Sequence, residues 1–207
     1  IAVCRYDETP GQDTKQMITD KSRDYYIGAS DTQYVMSNFN SKTFKRWWLI
    51  KIGAEWNDYE NIYTNAGNRY EQKILDTLFV PYRNERVIIG QLRVNIDGRT
   101  DEEICEVKTH KNKFRVTKAY WYQCQVEMWA FQVYKARIIA YQMLPDDYEF
   151  NNEIDLERIT QHPIEYDEAF IYEQYLPRFH YLCWCFKYDI QPSDGGFEEW
   201  KGVMNGE

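Results

Sequence analysis

A chain of 207 residues with 43% hydrophobic and 17% aromatic residues is long and apolar enough to form one globular domain with a substantial core. No apolar run approaches the length of a membrane span, so we expect no contact with a membrane. The five cysteines are odd in number and lack the spacing of a disulfide scaffold, which favours a reducing cytoplasm.

Local patterns place the elements along the chain. Residues 1–24 are polar and are predicted to form an N-terminal arm. Ser30 is a candidate N-cap for the next helix. Tyr70, Ile74 and Leu78 are spaced four residues apart, which predicts an amphipathic helix with these residues along one side. The predicted elements are helices at 31–38, 43–52 and 66–80, strands at 86–95 and 102–109, a helix at 118–135, a strand at 136–144 and an aromatic-rich helix at 166–187. Since no repeat or linker divides the chain, we expect a single domain over 1–207.

The net charge of −8 is unevenly distributed along the chain. Residues 146–200 hold fourteen acids against three basic residues, a net charge of −11, which leaves residues 1–145 with about +3. We interpret 146–207 as an acidic C-terminal extension that contains a helix. The acidic balance of the whole chain therefore does not exclude a nucleic-acid partner for its first two thirds.

Two basic groups lie in those first two thirds. One comprises Lys108, Lys111, Lys113, Arg115 and Lys118, with no acid among them. The other comprises Lys42, Lys45, Arg46 and Lys51 around Trp47 and Trp48. Basic side chains among aromatic ones suit phosphate neutralisation and base stacking. The alternative is that each group is an ordinary solvated face of a helix.

The most informative motif is Asp97 with Glu106-Val107-Lys108. On a strand, residues two apart share a face, so Glu106 and Lys108 would project together while Cys105 and Val107 point to the other side. Asp97 precedes Gly98 in a dipeptide typical of hairpin turns, which would bring Asp97 towards Glu106. Two carboxylates and one lysine would then converge on one point.

Carboxylate oxygens of this kind suit Mg²⁺ or Mn²⁺, which retain waters that can act as nucleophiles. A neighbouring lysine can orient such a water and offset the charge of a phosphate. The motif therefore predicts a Mg²⁺-dependent nuclease strand. The alternative is a solvated hairpin whose acids and lysine pair on its surface; motif length alone does not separate the two.

The sequence resembles the PD-(D/E)XK nuclease superfamily and, within it, the phage lambda exonuclease and YqaJ-type viral recombinase family. Four signatures occur in the order typical of that family: Tyr-Ile-Gly-Ala-Ser-Asp at 26–31, Gly-Asn-Arg-Tyr-Glu at 67–71, Asp-Gly and Glu-Val-Lys-Thr within 97–109, and Tyr-Gln-Cys-Gln-Val-Glu-Met-Trp at 122–129. The resemblance implies an α/β (α+β) fold with a central mixed β-sheet flanked by helices and a restriction-endonuclease-like core.

The resemblance also implies roles for individual residues. Asp97 and Glu106 would be metal ligands, together with the backbone carbonyl of Val107, and Lys108 would be the catalytic lysine. Glu71 matches an acid near a second metal position; the alternative is an exposed helix carboxylate. Gln125, rather than Gln123, is assigned to the glutamine that lines the site; the alternative is an amide at the edge of the core. Apart from the resemblance, the charge pattern of the basic segment predicts that Lys111, Lys113, Arg115 and Lys118 contact DNA.

Exonucleases of this family bind a 5′-terminal phosphate with an arginine and a serine seven residues apart, the spacing of Arg23 and Ser30. A serine at a helix N-terminus is a natural anion site, although Ser30 could equally be only a cap. The implied activity is Mg²⁺-dependent hydrolysis of linear double-stranded DNA in the 5′-to-3′ direction, in phage-type recombination in the bacterial cytoplasm. Besides binding to DNA ends, the resemblance implies assembly of the chain into a homo-oligomer, which could be a ring, and cooperation with a single-strand annealing protein.

Three alternatives are less favoured. A RecB-like or CRISPR-adaptation nuclease shares the same core motif but often has four cysteines for an iron–sulfur cluster. Cys4, Cys183 and Cys185 could be remnants of such a cluster, but the C-terminal three-cysteine spacing is missing. His180, Cys183 and Cys185 could instead bind zinc, although their aromatic neighbours favour a packed helix. A non-catalytic DNA-binding protein of the same fold would have no reason to retain both acids and the lysine.

Overall fold

The computed structural model describes residues 26–55 and 62–206, and the N-terminal arm predicted at 1–24 lies outside them. The helices are α1 (Thr32–Val35), α2 (Lys42–Lys51), α3 (Ile62–Thr77), α4 (Lys118–Phe131), α5 (Pro145–Glu149), α6 (Leu176–Tyr188) and α7 (Asp194–Asn205). The strands are β1 (Tyr82–Arg83), β2 (Arg86–Ile89), β3 (Leu92–Asn95), β4 (Gly98–Arg99), β5 (Ile104–His110), β6 (Lys135–Gln142) and β7 (Ile159–Glu165). Short 3-10 helices at Ala29–Asp31 and Leu156–Arg158 and a π-helix at Phe170–Tyr175 are also present. None of the described helices is long and apolar enough to cross a membrane.

The centre of the fold is a mixed five-stranded sheet in the order β1-β4-β5-β6-β7. Strands β5 and β6 run parallel, with Glu106 opposite Ile138 and Lys108 opposite Ala140, and α4 makes the crossover between them. The other neighbouring pairs in this sheet are antiparallel. The predicted fold class is confirmed, and the arrangement is compatible with a restriction-endonuclease-like core.

Alternation along the strands divides the core into two layers. On one face, the β5 and β6 side chains of Ile104, Ala136 and Ile138 pack among residues of α2, α4 and α6. On the other face, Cys105, Val107, Ile139 and Tyr141 pack against Ala66, Tyr70, Ile74 and Leu75 of α3. The central strands are therefore covered on both faces, as is typical of parallel pairs. Glu106 and Lys108 belong to the face that α4 covers.

The strand predicted at 86–95 is a hairpin. Strands β2 and β3 form a separate two-stranded sheet in which Ile89 lies opposite Leu92. The turn between them contains Gly90, whose φ of 58° lies in the left-handed region that glycine enters at little cost. The apolar pattern continues through the turn, so the sequence indicates one long strand where the chain reverses.

The C-terminal third also differs from the prediction. The acidic extension contains a strand that is not predicted, β7, which pairs with β6. The predicted helix at 166–187 begins as a π-helix before it continues as α6. A further helix, α7, follows from its N-cap Ser193, whose side chain accepts a hydrogen bond from the Gly196 N–H. The extension is thus largely ordered and contributes Phe179, Tyr181 and Phe197 to the core.

Candidate active site

The site begins on β5, the middle strand of the sheet. Glu106 is only 3% exposed, and its Oε1 accepts a hydrogen bond of 2.6 Å from the Lys108 ammonium. Both side chains lie on one face of the strand while Cys105 and Val107 pack in the opposite layer. The predicted alternation along this strand is therefore confirmed. The motif is not a solvated hairpin, since the neighbouring strands β4 and β6 flank β5 on both sides.

Asp97 converges on this strand from the end of the preceding segment. Its Oδ2 accepts a hydrogen bond of 2.8 Å from the Val107 N–H, which places its carboxylate beside Glu106. Asp97 and Glu106 thus converge as expected. The prediction that Asp97-Gly98 forms a hairpin turn is wrong. Gly98 is a buried residue of β4, and a Cβ there would lie 2.9 Å from Val80 Cγ1. Glycine allows close packing against Val80 and Leu75 rather than forming the turn.

Glu71 reaches the same site from α3. It lines a cavity of about 250 Å³ together with Gly67, Asn68, Asp97, Glu106, Val107, Lys108 and Thr109. The alternative of an exposed helix carboxylate paired with its helical neighbours is not supported, because Arg69 and Lys73 instead donate to backbone carbonyls of residues 148, 151 and 152. Three acids and one lysine therefore share one cavity.

The prediction for the glutamines of α4 requires a correction. Gln125 is fully buried. Its Nε2 donates a hydrogen bond of 2.8 Å to the Glu165 carbonyl, and its Oε1 accepts one of 2.7 Å from the Asp167 N–H. The Gln125 amide therefore connects α4 to the end of β7. Gln123 instead faces the site: its Nε2 donates 2.6 Å to Glu106 Oε1, and its Oε1 accepts from Lys108 at 3.3 Å. Residues two positions apart on a helix point in directions that differ by about 200° around its axis, so only one of the two glutamines can face β5.

A fourth acid, Glu127, completes the group and was not anticipated. It is 0% exposed, and its Oε1 accepts 2.8 Å from Gln123 Nε2. Its position four residues after Gln123 is a helical spacing that could have indicated a shared face. That signal is weak here because α4 is buried on most of its circumference, including Tyr122, Cys124, Val126 and Met128.

The electrostatics of the group are dominated by carboxylates. Burial, together with Glu106 and Glu71, raises the pKa of Asp97 well above its ordinary value, and burial together with Glu106 and Asp97 does the same for Glu127. Burial also raises the pKa of Glu71. Burial alone would lower the pKa of Lys108, but Glu106 outweighs it and raises that pKa above its ordinary value. One ammonium faces four acids, so the group lacks positive charge.

The residues fit a divalent cation by their chemistry. Oε2 of Glu106 and Oε2 of Glu127 are buried without a hydrogen-bond partner among the described residues, an arrangement that is unfavourable unless a cation or a proton compensates for it. Oxygen ligands suit Mg²⁺ or Mn²⁺. Within 26–55 and 62–206, no three His, Cys, Asp or Glu side chains form a ready-made metal cluster. The fit therefore rests on Asp97 and Glu106 with the Val107 carbonyl, a set with only two side-chain ligands.

The predicted phosphate site is only partly within the described residues. Arg23 lies outside them. Ser30 is exposed in the 3-10 helix Ala29–Asp31, whose N-cap is Gly28, so the prediction that Ser30 is the N-cap is wrong. Ser30 lines a second cavity of about 60 Å³, whose other lining residues are Tyr26, Gly28, Ala29, Asp31, Lys51, Arg93, Asn95 and Gln123. This cavity adjoins the acidic group, because Gln123 contributes to both.

The two basic groups have different environments. Lys111, Lys113, Arg115 and Lys118 are all exposed and lie between the end of β5 and the first turn of α4. In the other group, Trp47 and Trp48 are 6% and 2% exposed, and Trp48 stacks on Phe186 at 4.3 Å. Lys51 is also buried and pairs with Asp31 at 2.6 Å. The indole rings belong to the core and are not available for base stacking.

The cysteines of the alternative metal sites are core residues. Cys185 is buried in α6, and Cys183 is partly buried against the same core. Burial raises the pKa of the Cys185 thiol to about 11 and that of Cys183 to about 12, which disfavours the thiolate form that binds metals. Cys4, the third cysteine considered for an iron–sulfur cluster, lies outside the described residues.

The fold and the site together define an α/β protein with a PD-(D/E)XK-like arrangement of acids and lysine on its central strand. Solved structures with this fold include an alkaline exonuclease from Laribacter hongkongensis, with a TM-score of 0.56, 16% sequence identity and coverage of 88% of this chain and 95% of that one. A phage-related exonuclease from Haemophilus somnus has a TM-score of 0.59, 18% identity and coverage of 86% and 96%.

The Laribacter exonuclease in complex with dAMP is also similar, with a TM-score of 0.55, 17% identity and coverage of 81% of this chain and 94% of that one. No protein-family model and no curated protein sequence matches this chain. The resemblance to phage-type exonucleases that the sequence motifs suggest is therefore confirmed at the level of the fold.

Proposed function

We propose that this protein is a metal-dependent deoxyribonuclease that degrades linear double-stranded DNA from its ends. The observation that carries the proposal is the convergence of Glu71, Asp97, Glu106 and Lys108 on one cavity. Acids and a lysine that share one cavity provide the groups that phosphodiester hydrolysis needs, namely oxygen ligands for a cation and a positive charge beside the phosphate. The exonuclease-like fold supports the same reaction.

Each residue of the cavity has a distinct role in this proposal. Asp97, Glu106 and the Val107 carbonyl would hold one or two ions of Mg²⁺ or Mn²⁺, with Glu71 near a second position. Such an ion, when bound, supplies Lewis acidity and a water of lowered pKa. The Lys108 ammonium would offset the negative charge that grows on the scissile phosphate. Gln123, which contacts both Lys108 and Glu106, takes the place proposed for Gln125.

DNA binding is assigned to the exposed basic segment that begins after β5. Lys111, Lys113, Arg115 and Lys118 would neutralise backbone phosphates without reading the sequence. Arg23 and Ser30 are proposed to hold a 5′-terminal phosphate, and the second cavity lies beside Ser30. Because that cavity adjoins Gln123, a terminal phosphate bound there would be close to the acidic group.

The narrower parts of the proposal follow from the resemblance in sequence. They are cleavage from 5′ to 3′, a role in phage-type recombination in the bacterial cytoplasm, assembly into a homo-oligomeric ring around DNA, and cooperation with a single-strand annealing protein. A ring would support processive degradation, since the substrate could not diffuse away between successive cleavages.

The proposal is tested with linear and circular duplexes of one sequence in Mg²⁺, with the linear DNA carrying a 5′-phosphate on one strand. We expect loss of the phosphorylated strand from its 5′ end, an intact circle, and no cleavage in EDTA. Cleavage of the circle would contradict dependence on ends. Arg23→Ala should remove the preference for phosphorylated ends, whereas Lys135→Ala, a change of an exposed lysine at the start of β6, should retain it.

A further inference from the structure

Gln123 and Glu127 lie one turn apart on α4, and both face the acidic group. Glu127 is 0% exposed. Fully buried glutamates are rare because the loss of hydration is large, and an apolar side chain at this position would pack at no such cost. The position of Glu127 therefore requires a reason that packing does not provide.

The reason lies in the three hydrogen bonds of the Gln123 amide. An amide has two N–H donors and one carbonyl acceptor. Here Nε2 donates 2.6 Å to Glu106 Oε1 and 2.8 Å to Glu127 Oε1, while Oε1 accepts from Lys108 at 3.3 Å. Two carboxylates on one side and an ammonium on the other leave a single favourable orientation, because a flipped amide would turn its carbonyl towards both acids and its NH₂ towards Lys108.

We infer that Glu127 is a positioning residue of the proposed nuclease site: it holds the Gln123 amide in the one orientation that fixes Lys108 and Glu106 beside the cavity. Without Glu127, one N–H of Gln123 has no acceptor at this position, and the amide is held by Glu106 and Lys108 alone. Both of those groups line the cavity, so they are also the groups that a phosphate and a cation would engage there. Glu127 is not one of the residues that line the cavity, so it would keep holding the amide when the cavity is occupied.

This inference rests on the proposed function and is tested through the turnover number. Glu127→Met is similar in volume but replaces the carboxylate with a sulfur that is only a weak acceptor. We expect it to lower kcat about 10- to 100-fold, as is typical of residues that orient the groups in direct contact with a metal or substrate. KM for DNA should change by less than about threefold. Glu127→Gln retains an acceptor for Gln123 and should keep kcat within about threefold of the wild-type value.

A double-mutant cycle separates positioning from a general structural effect. If Glu127 acts through Gln123, then Glu127→Met should lower kcat no further once Gln123→Ala is present. Asp147→Asn, a change of another buried acid in the layer around α3, should lower the melting temperature but not kcat per folded molecule. Equal losses in Glu127→Gln and Glu127→Met, or additive losses with Gln123→Ala, would overturn the inference.

The folded fraction of every variant is measured by thermal unfolding, and kcat is compared below the transition. If Glu127→Met does not fold, Glu127→Leu, which also lacks an acceptor for the Gln123 amide, takes its place in the cycle, with kcat in that pair again set by Gln123→Ala alone. A wild-type protein that cleaves no DNA would overturn the proposed function and the inference together. An active wild type with additive losses would overturn only the inference.

Discussion

Two groups of buried carboxylates occupy this fold, and they differ in how well they are satisfied. Asp147, at the start of α5, is 1% exposed and accepts hydrogen bonds from Tyr70, Asn152, Arg158 and the Leu144 N–H. Burial would raise its pKa, but these hydrogen bonds together hold the pKa of Asp147 below its ordinary value. The charge of Asp147 is thus compensated within the fold.

The acids around β5 show the opposite pattern. Burial raises the pKa of Asp97 and of Glu127, and buried oxygens of Glu106 and Glu127 have no partner among the described residues. Carboxylates that are buried or partly buried therefore have opposite electrostatic outcomes in the two groups. The difference indicates that Asp147 stabilises the fold, whereas the acids around β5 are retained at the expense of stability, as is common at functional sites.

The largest difference between the groups is expected in catalysis. Lys108→Ala and Asp97→Ala should each lower the rate of DNA cleavage by about 10³-fold or more, because each removes a charge that acts on the reacting phosphate or on its cation. Binding to duplex DNA, measured in Ca²⁺, should remain nearly unchanged. Lys135→Ala is the control for loss of a lysine. Cleavage of duplex DNA by either variant at a rate close to wild type would show that the active site has been misassigned.

Removal of the compensated acid should instead affect stability. Asp147→Ala leaves Arg158 without its buried partner, and we expect a loss of about 3–5 kcal/mol in the free energy of unfolding, measured by urea denaturation. Asp146→Ala, an exposed acid in the same helix, should change it by less than about 0.5 kcal/mol. Similar effects of the two substitutions would show that the hydrogen bonds of Asp147 add little to stability.

The sequence predicts the acids and the lysine on β5 better than it predicts the surrounding elements that position them. That Glu106 and Lys108 share one face follows from strand alternation. Strand β7 was missed because it is a polar edge strand with Pro163 in it, and an edge position tolerates both features. The choice between Gln123 and Gln125 depends on the rotation of α4 about its axis, and a helix buried on most sides has no polar face from which that rotation can be inferred.

The smallest effect is expected in the stability of the metal-free protein. Asp97→Asn retains an oxygen that can accept from the Val107 N–H but removes the charge. At pH 8 in EDTA we expect it to raise the free energy of unfolding by about 0.5–2 kcal/mol, or the melting temperature by about 1–8 °C. Added Mg²⁺ should stabilise the wild type more than the variant, because a cation that binds only the folded state raises stability.

The sign of the pH dependence distinguishes the two groups of acids. The folded-state pKa of Asp97 is raised, so its contribution to stability is complete below the unfolded pKa of about 4 and is lost as the pH rises through the folded pKa. The gain in unfolding free energy from Asp97→Asn should therefore grow from pH 4 to pH 8.

Asp147 has a lowered pKa, so its contribution to stability is present above about pH 4 and is lost as the pH falls. Asp147→Asn should consequently be destabilising at pH 8. An Asp97→Asn variant less stable than wild type at pH 8 in EDTA would mean that the acids around β5 are compensated as fully as Asp147.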